Sequence, residues 1–291
     1  TVKGLVQAAN KTTVIDSVVV AGGIINASSE SLISGSTLNG GSMSLYSEAT
    51  ANDILVTDGG TILNEAGTNN NIQIDGGSLV LGNDHLIEDN RNNNIKLNSG
   101  YMTVFHGHIF DIYVGKDAVA YILPSTSRFS SLGGPIVLDG LLSLGHGAYY
   151  EAAKVTVNKT GSLILDSNGA GCGANCSYNL GTLNLADGVV AFKSSVGGTI
   201  SLAVNKLDGK GYFNMNTDLN NNRGDYFYAN QADGVFVINV NDTGVSPTVG
   251  QALTLVSIGS GNASFELANE GKAVDLGTYK YYLAKAAIAG G

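Results

Sequence analysis

Ile54-Leu55-Val56-Thr57-Asp58-Gly59-Gly60 and Ile72-Gln73-Ile74-Asp75-Gly76-Gly77 are two statements of one phrase: alternating aliphatics, a polar turn residue, then paired glycines. Val18-Val19-Val20-Ala21-Gly22-Gly23 and Leu38-Asn39-Gly40-Gly41 state it again, and the anchors Val20, Leu38, Val56 and Ile74 fall 18 residues apart. Looser copies follow with anchors Leu97, Val114, Leu138, Val157 and Leu185, at steps of 23, 17, 24, 19 and 28. A recurring period near 20 marks a solenoid, in which each unit buries its apolar face only by stacking on the next.

Within a unit the apolar residues alternate, as at Ile72, Ile74, Leu79 and Leu81, while Gln73 and Ser78 between them are polar. That is the period of a strand with one dry face and one wet face. Antiparallel hairpins also alternate but have no reason to repeat one register every 18 residues. The phrase therefore predicts an all-β fold, a parallel β-helix with two or three short strands per coil and glycine at the sharp corners. A β-sandwich or propeller is the competing architecture; propeller blades need periods near 40 residues. Coils are expected over residues 1–205. From Lys206 the repeat fades into aromatic-rich strands, so residues 206–291 are expected to form a β cap that covers the last coil.

Composition agrees with frequent turns and few helices. Glycine supplies 40 of 291 residues, about twice the usual ~7%, asparagine 30, proline three and tryptophan none. The net charge of −9, with no cluster of Lys and Arg, argues against a nucleic-acid partner. No apolar run approaches the ~18–20 residues of a spanning helix, and an export signal is expected to lie outside this sequence. Cys172 and Cys176 sit in Gly171-Cys172-Gly173-Ala174-Asn175-Cys176. A reduced pair or half a metal site is possible on spacing alone, but no further Cys or His joins them as zinc would require. The favoured reading is a small-loop disulfide in an oxidising compartment, contributing only about 2 kcal/mol through loop closure.

Several positions could carry function. Aligning the coils places Ala21, Asn39, Thr57, Asp75, Asn98, Gly115, Asp139, Asn158 and Ala186 at one corner. Asn and Asp there suit turns and stacked ladders. The same column, if exposed, is a candidate self-association edge formed by Asn39, Thr57, Asp75, Asn98, Asp139 and Asn158. The longer coils place extra residues at 82–94 and 121–135, where Asp84, His85, Glu88, Asp89, Arg91 and Arg128 are candidate ligand contacts; a solvated loop is the plainer reading. The tracts Asn69-Asn70-Asn71 and Asn92-Asn93-Asn94 are read as turns. His106 and His108 flank Gly107 and could fill half a metal site, but a surface polar pair is the expectation, with no metal or other cofactor. Gly169-Ala170-Gly171-Cys172-Gly173 lacks the following helix of a phosphate loop.

The final 86 residues resemble the pertactin-like autochaperone segment of Gram-negative autotransporter passengers. The likeness rests on Gly211-x-Phe213, Thr217-Asp218-Leu219, Gly224-Asp225, Ala232-x-Gly234, Leu253-x-Leu255-Val256, Phe265-x-Leu267 and Val274-Asp275-Leu276-Gly277-Thr278-Tyr279-x-Tyr281-x-Leu283. The upstream Gly-Gly coils resemble AIDA-type self-associating adhesins. Together these resemblances imply a secreted right-handed β-helix, exported through an outer-membrane barrel outside this chain and displayed on the bacterial surface. They also imply a non-enzymatic adhesin acting in aggregation and biofilm formation, with closely spaced cysteines that suit passage through a pore. Adherence to a host glycosaminoglycan or matrix protein is the alternative, and a polysaccharide-degrading β-helix enzyme a third.

Overall fold

The computed structural model describes residues 1–82, 90–124, 130–147, 150–167, 172–173, 175–195 and 197–286. Their strands join into one 22-stranded sheet that winds as a parallel solenoid, with a separate two-stranded sheet near the C-terminal end. Each full coil has three faces. In the coil of strand Thr68–Leu81 these are residues 68–70, 72–75 and 78–81, and each segment pairs in parallel with its counterpart in Arg91–Val104.

Two kinds of corner separate the faces. Between the first and second, a single residue turns left-handed: Asp53, Asn71, Asn94 and Asp111 all have φ between 52° and 59°. Asn and Asp tolerate that conformation better than other side chains. Between the second and third lies the Gly-Gly corner, whose two glycines do different work. Gly59 has φ 79°. Gly60 does not, but a Cβ on it would lie 2.5 Å from the carbonyl oxygen of Leu38 in the preceding coil, so only glycine allows the coils to close up there.

The interior is a continuous aliphatic stack. Val19, Leu38, Val56, Ile74, Leu97, Val114, Leu138, Val157 and Leu185 form one inward column, each paired with the next and each almost fully buried. Every expected anchor from Leu38 onward takes this column, including those at the irregular steps. The first differs: Val19, not Val20, pairs with Leu38, and Val20 pairs with Asn39. Three consecutive valines carry no alternation, and a slip of one residue exchanges the two faces of a strand. Ala21 consequently lies outside the corner column.

The asparagine tracts are strand and corner, not turns alone. Each triplet sends its three amides in three directions, and each amide meets its counterpart in the next coil. At the corner, Asn71 Nδ2 donates to Asp53 (2.9 Å) and Asn94 Nδ2 to Asn71 (2.8 Å). On the outside, Asn70 donates to Asn52 and Asn93 to Asn70, both at 2.8 Å. Inside, Asn69 Nδ2 and Asn64 Nδ2 both donate to Asn92 Oδ1 (2.8 and 3.1 Å), Asn92 Nδ2 donates to Asn90 Oδ1 (2.7 Å), and Asn90 Nδ2 to the His106 carbonyl (2.9 Å). These four inner asparagines are fully buried. Buried amides are tolerated chiefly when hydrogen-bonded, and here each is held by at least one neighbour, although Asn69 Oδ1 is left without a partner.

Parallel coiling does not stop at residue 206. Strand Thr199–Asp218 pairs in parallel with Tyr226–Asp242 from Ser201↔Tyr226 to Thr217↔Asp242, and the latter pairs with Val256–Ser260 and Ser264–Leu267. The expected cap is therefore mostly further coils with an aromatic filling. Phe213 packs against Phe227 and Phe236 with centroids 4.9 and 5.9 Å apart, and Phe236 against Phe265 at 5.3 Å. The two-stranded antiparallel sheet, Ala273–Asp275 with Lys280–Tyr282, follows the last of these coils, and Val274, Leu276 and Tyr281 join the core cluster.

Candidate binding faces

The corner column assembles in two groups. Asn39 is paired with Thr57 and Thr57 with Asp75; Asn98 Nδ2 donates to Asp75 Oδ1 at 2.6 Å although a bulge sets Ser99 opposite Asp75. Farther along, Asn158 Nδ2 donates to Asp139 Oδ1 (2.9 Å) and the Tyr113 hydroxyl donates to Asp139 Oδ2 (2.8 Å). Gly115 interrupts the side chains between the groups. The hydrogen bond to the Asp139 carboxylate, helped by desolvation, raises the Tyr113 hydroxyl above its ordinary pKa. Asn39 is exposed and the other five are half-buried, so the column is both a structural ladder and a reachable polar edge.

Of the expected loop contacts, Asp84, His85, Glu88, Asp89 and Arg128 lie outside the described residues. Arg91 opens strand Arg91–Val104 as an exposed residue of the first face, beside His108 in the next coil. The histidines do not form the surface pair expected. His106 is 5% exposed, and its ring occupies the space over Gly82 that a side chain there would fill. His108 lies on the strand, its Nδ1 in hydrogen-bond contact with Ser131 Oγ. Among the described residues no three His, Cys, Asp or Glu side chains gather into a metal site. Cys172 and Cys176 are joined as a disulfide with Cα atoms 5.1 Å apart, and Cys176 occupies a buried ladder position opposite Ile200.

Beside Arg91 and His108, the Phe110 ring is 44% exposed and sits over Gly133 of the next coil, where a Cβ would meet its Cε1 at 2.7 Å. Asn93 is its neighbour in the preceding coil. A flat ring with one open side next to amides and a guanidinium can stack and hydrogen-bond a ligand.

A shallow cleft of about 240 Å³ lies among the C-terminal coils, lined by Ser194, Thr199, Asn216, Asp218, Arg223 and Asp242. Its two carboxylates are committed to the backbone: Asp218 accepts from Asn221 N (3.2 Å), and Asp242 accepts from Leu219 N (3.0 Å), Gly244 N (2.8 Å) and Thr217 Oγ1 (2.6 Å). Behind it Asp225 is fully buried and accepts from Ile200 N and Asn216 N, both at 2.7 Å, and from Asn216 Nδ2 at 3.0 Å. Burial raises its carboxyl pKa against the opposing pull of these three donors. Sequence reading touched Asp225 only within the Gly224-Asp225 pair of the family resemblance; two backbone partners, 25 residues and 9 residues away, leave no local pattern.

Residues 180–289 match the pertactin family. The probable autotransporter YpjA of Escherichia coli is 37% identical over 194 residues, 59% of this chain and 13% of its own length. The autotransporter adhesin/invasin TibA, also of Escherichia coli, is 33% identical over 179 residues, 54% of this chain and 18% of its own. The chain thus spans less than a fifth of either relative. The Haemophilus influenzae Hap adhesin structure aligns with 90% of this chain and 32% of its own at 18% identity and a TM-score of 0.41. No helix among the described residues is long and apolar enough to cross a membrane. The stacked parallel coils are thus shared in sequence with stretches of autotransporters, and the match to the pertactin family lies at the C-terminal side of this chain.

Proposed function

We propose that this passenger is a non-enzymatic adhesin that joins bacterial cells into aggregates and biofilm, held at the surface by an outer-membrane barrel outside this chain. The observation that carries the reading is the uninterrupted ladder, which presents the same side-chain rows about every 4.8 Å along a stiff rod. Rods of that kind meet side by side, and the corner column from Asn39 to Asn158 is a row of donors and acceptors for such a contact. Single hydrogen bonds contribute about 0.5–1.5 kcal/mol, and many molecules per cell multiply the effect. The carboxylates of the C-terminal cleft are taken up in hydrogen bonds that hold turns, which supports a binding role over hydrolysis. TibA, described as an adhesin/invasin, is consistent with it.

A settling assay tests the proposal: cells displaying the full-length protein should sediment faster than cells without it, and equal rates would reject it. Adherence to a host glycan is the second reading, favoured by the open Phe110 ring beside Asn93, Arg91 and His108. Binding of the chain to immobilised glycosaminoglycan or neutral glycan that is lost in Phe110→Ala, without accelerated settling, would promote it.

A further inference from the structure

The third face of the coils carries an outward strip with an unusual composition for an acidic protein. Two adjacent outward columns run across eight successive strand segments, from Thr61 and Leu63 to Tyr212 and Asn214. None of their sixteen positions is charged, in a chain whose net charge is −9. The centre is mostly apolar: Tyr101, Val119, Tyr121, Leu141, Ile164 and Val189 lie there among Thr103, Ser162 and the covered Ser143, with Tyr101 61% and Tyr121 42% exposed. Solvent-facing strand positions elsewhere do carry charge, as at Lys96, Lys154 and Asp208.

We infer that this strip is the docking face for a second copy of the chain, resting on the self-association proposed above and locating its contact. Three arguments select that partner. First, two acidic rods repel, and repulsion between exposed charges fades beyond a Debye length of about 8 Å at physiological salt. The rods can approach closely only along a line without charge, and this strip provides it. Second, both copies carry the same ~4.8 Å row spacing, so their outward rows interdigitate when the sheets lie face to face at about 10 Å; a two-fold axis across the strip makes the contact self-complementary. Third, the area is right for a weak contact. Seven coil steps give a length of about 34 Å, and two columns cover on the order of 400 Å², half of the roughly 800 Å² per partner in a stable complex.

The polar corner column then has a defined place. It ends the second face immediately before the Gly-Gly corner, and the strip begins immediately after it: Asp75, Gly76, Gly77, Ser78. Apolar centre and polar border together have the anatomy of a protein interface. The strip supplies the attraction, and the column edges it.

Sedimentation velocity on this chain over a concentration series tests the assignment. The unaltered chain should show a reversible monomer–dimer equilibrium that tightens in added sulfate, which strengthens apolar burial. The double variant Tyr121→Lys, Ile164→Lys should weaken association at least tenfold while circular dichroism and melting temperature stay unchanged; Asn39→Gly with Asn158→Gly should weaken it less. A dimer that survives the lysine variant but disappears in the column variant would overturn the strip while leaving self-association intact. A chain that stays monomeric at the highest concentration would remove both.

Discussion

The coils around residues 50–104 and those after residue 199 wind in the same direction of pairing but are held by different means. In the first region like sits on like: aliphatics stack in columns, and three asparagine rows run inside, outside and at the corner. In the second, coil length changes at each step, from 23 residues (Val190 to Phe213) to 25 (Phe213 to Ile238) and 29 (Ile238 to Leu267). There the filling is a set of interlocked phenylalanines and one buried carboxylate, contacts that do not repeat from coil to coil among the described residues. Repetition makes a long ladder easy to extend but specifies register weakly, because one coil resembles the next. Unique contacts specify register strongly. The contrast predicts that the C-terminal coils fix the register of the winding, which truncation can test.

The most severe test is removal. Deleting residues 206–291 strips the aromatic filling and exposes a parallel edge, so the upstream coils are expected to lose protease resistance and β-sheet circular dichroism. A truncated rod that retained both would show that the repetitive coils set their own register. Next in size, Phe213→Ala should cost about 4 kcal/mol, the upper range for an aromatic cavity, read as a loss in denaturant midpoint. Ile62→Val in the repetitive region should cost about 1 kcal/mol.

The asparagine rows allow a comparison inside one triplet. Asn92→Ala leaves Asn64, Asn69 and Asn90 without a shared buried partner and is expected to cost about 3 kcal/mol, since unsatisfied buried groups bear their full desolvation penalty. Asn93→Ala on the outside should cost under about 1 kcal/mol. Similar losses for both would mean that the rows act only through outward stacking.

Asp225→Asn should cost about 2 kcal/mol, because an amide offers one acceptor where Ile200 N and Asn216 N need two. Its pH dependence has a fixed sign. A carboxyl whose folded pKa lies above its unfolded value makes the folded state the stronger proton binder, so its ionisation lowers stability. Acidification from neutral pH through the raised folded pKa toward the ordinary aspartate value of 3.8 should therefore widen the stability advantage of the unaltered protein over the variant. Chemical unfolding of both across that window measures it; an advantage that shrank would contradict the burial of this group.

The winding was legible because it follows from spacing alone, and the aliphatic anchors from Leu38 to Leu185 could be aligned even where the steps vary. What could not be read was direction within uniform runs. Val18-Val19-Val20 and the asparagine triplets offer the same side chain to every face, so only the stacked neighbours decide which member turns inward. The charge-free strip was hidden for a related reason. Its members are single outward residues separated by 17 to 27 positions, ordinary in each strand and apparent only after the coils are superposed.

The hydrogen bonds between coils run along the length of the rod. A pull along that length therefore reaches them in series, and the chain yields one winding at a time. The ten pairs that join the coil of residues 13–27 to the next would part before the sixteen joining Thr199–Asp218 to Tyr226–Asp242. Under tension this stretch would lengthen first through its N-terminal windings while the C-terminal ones stayed wound.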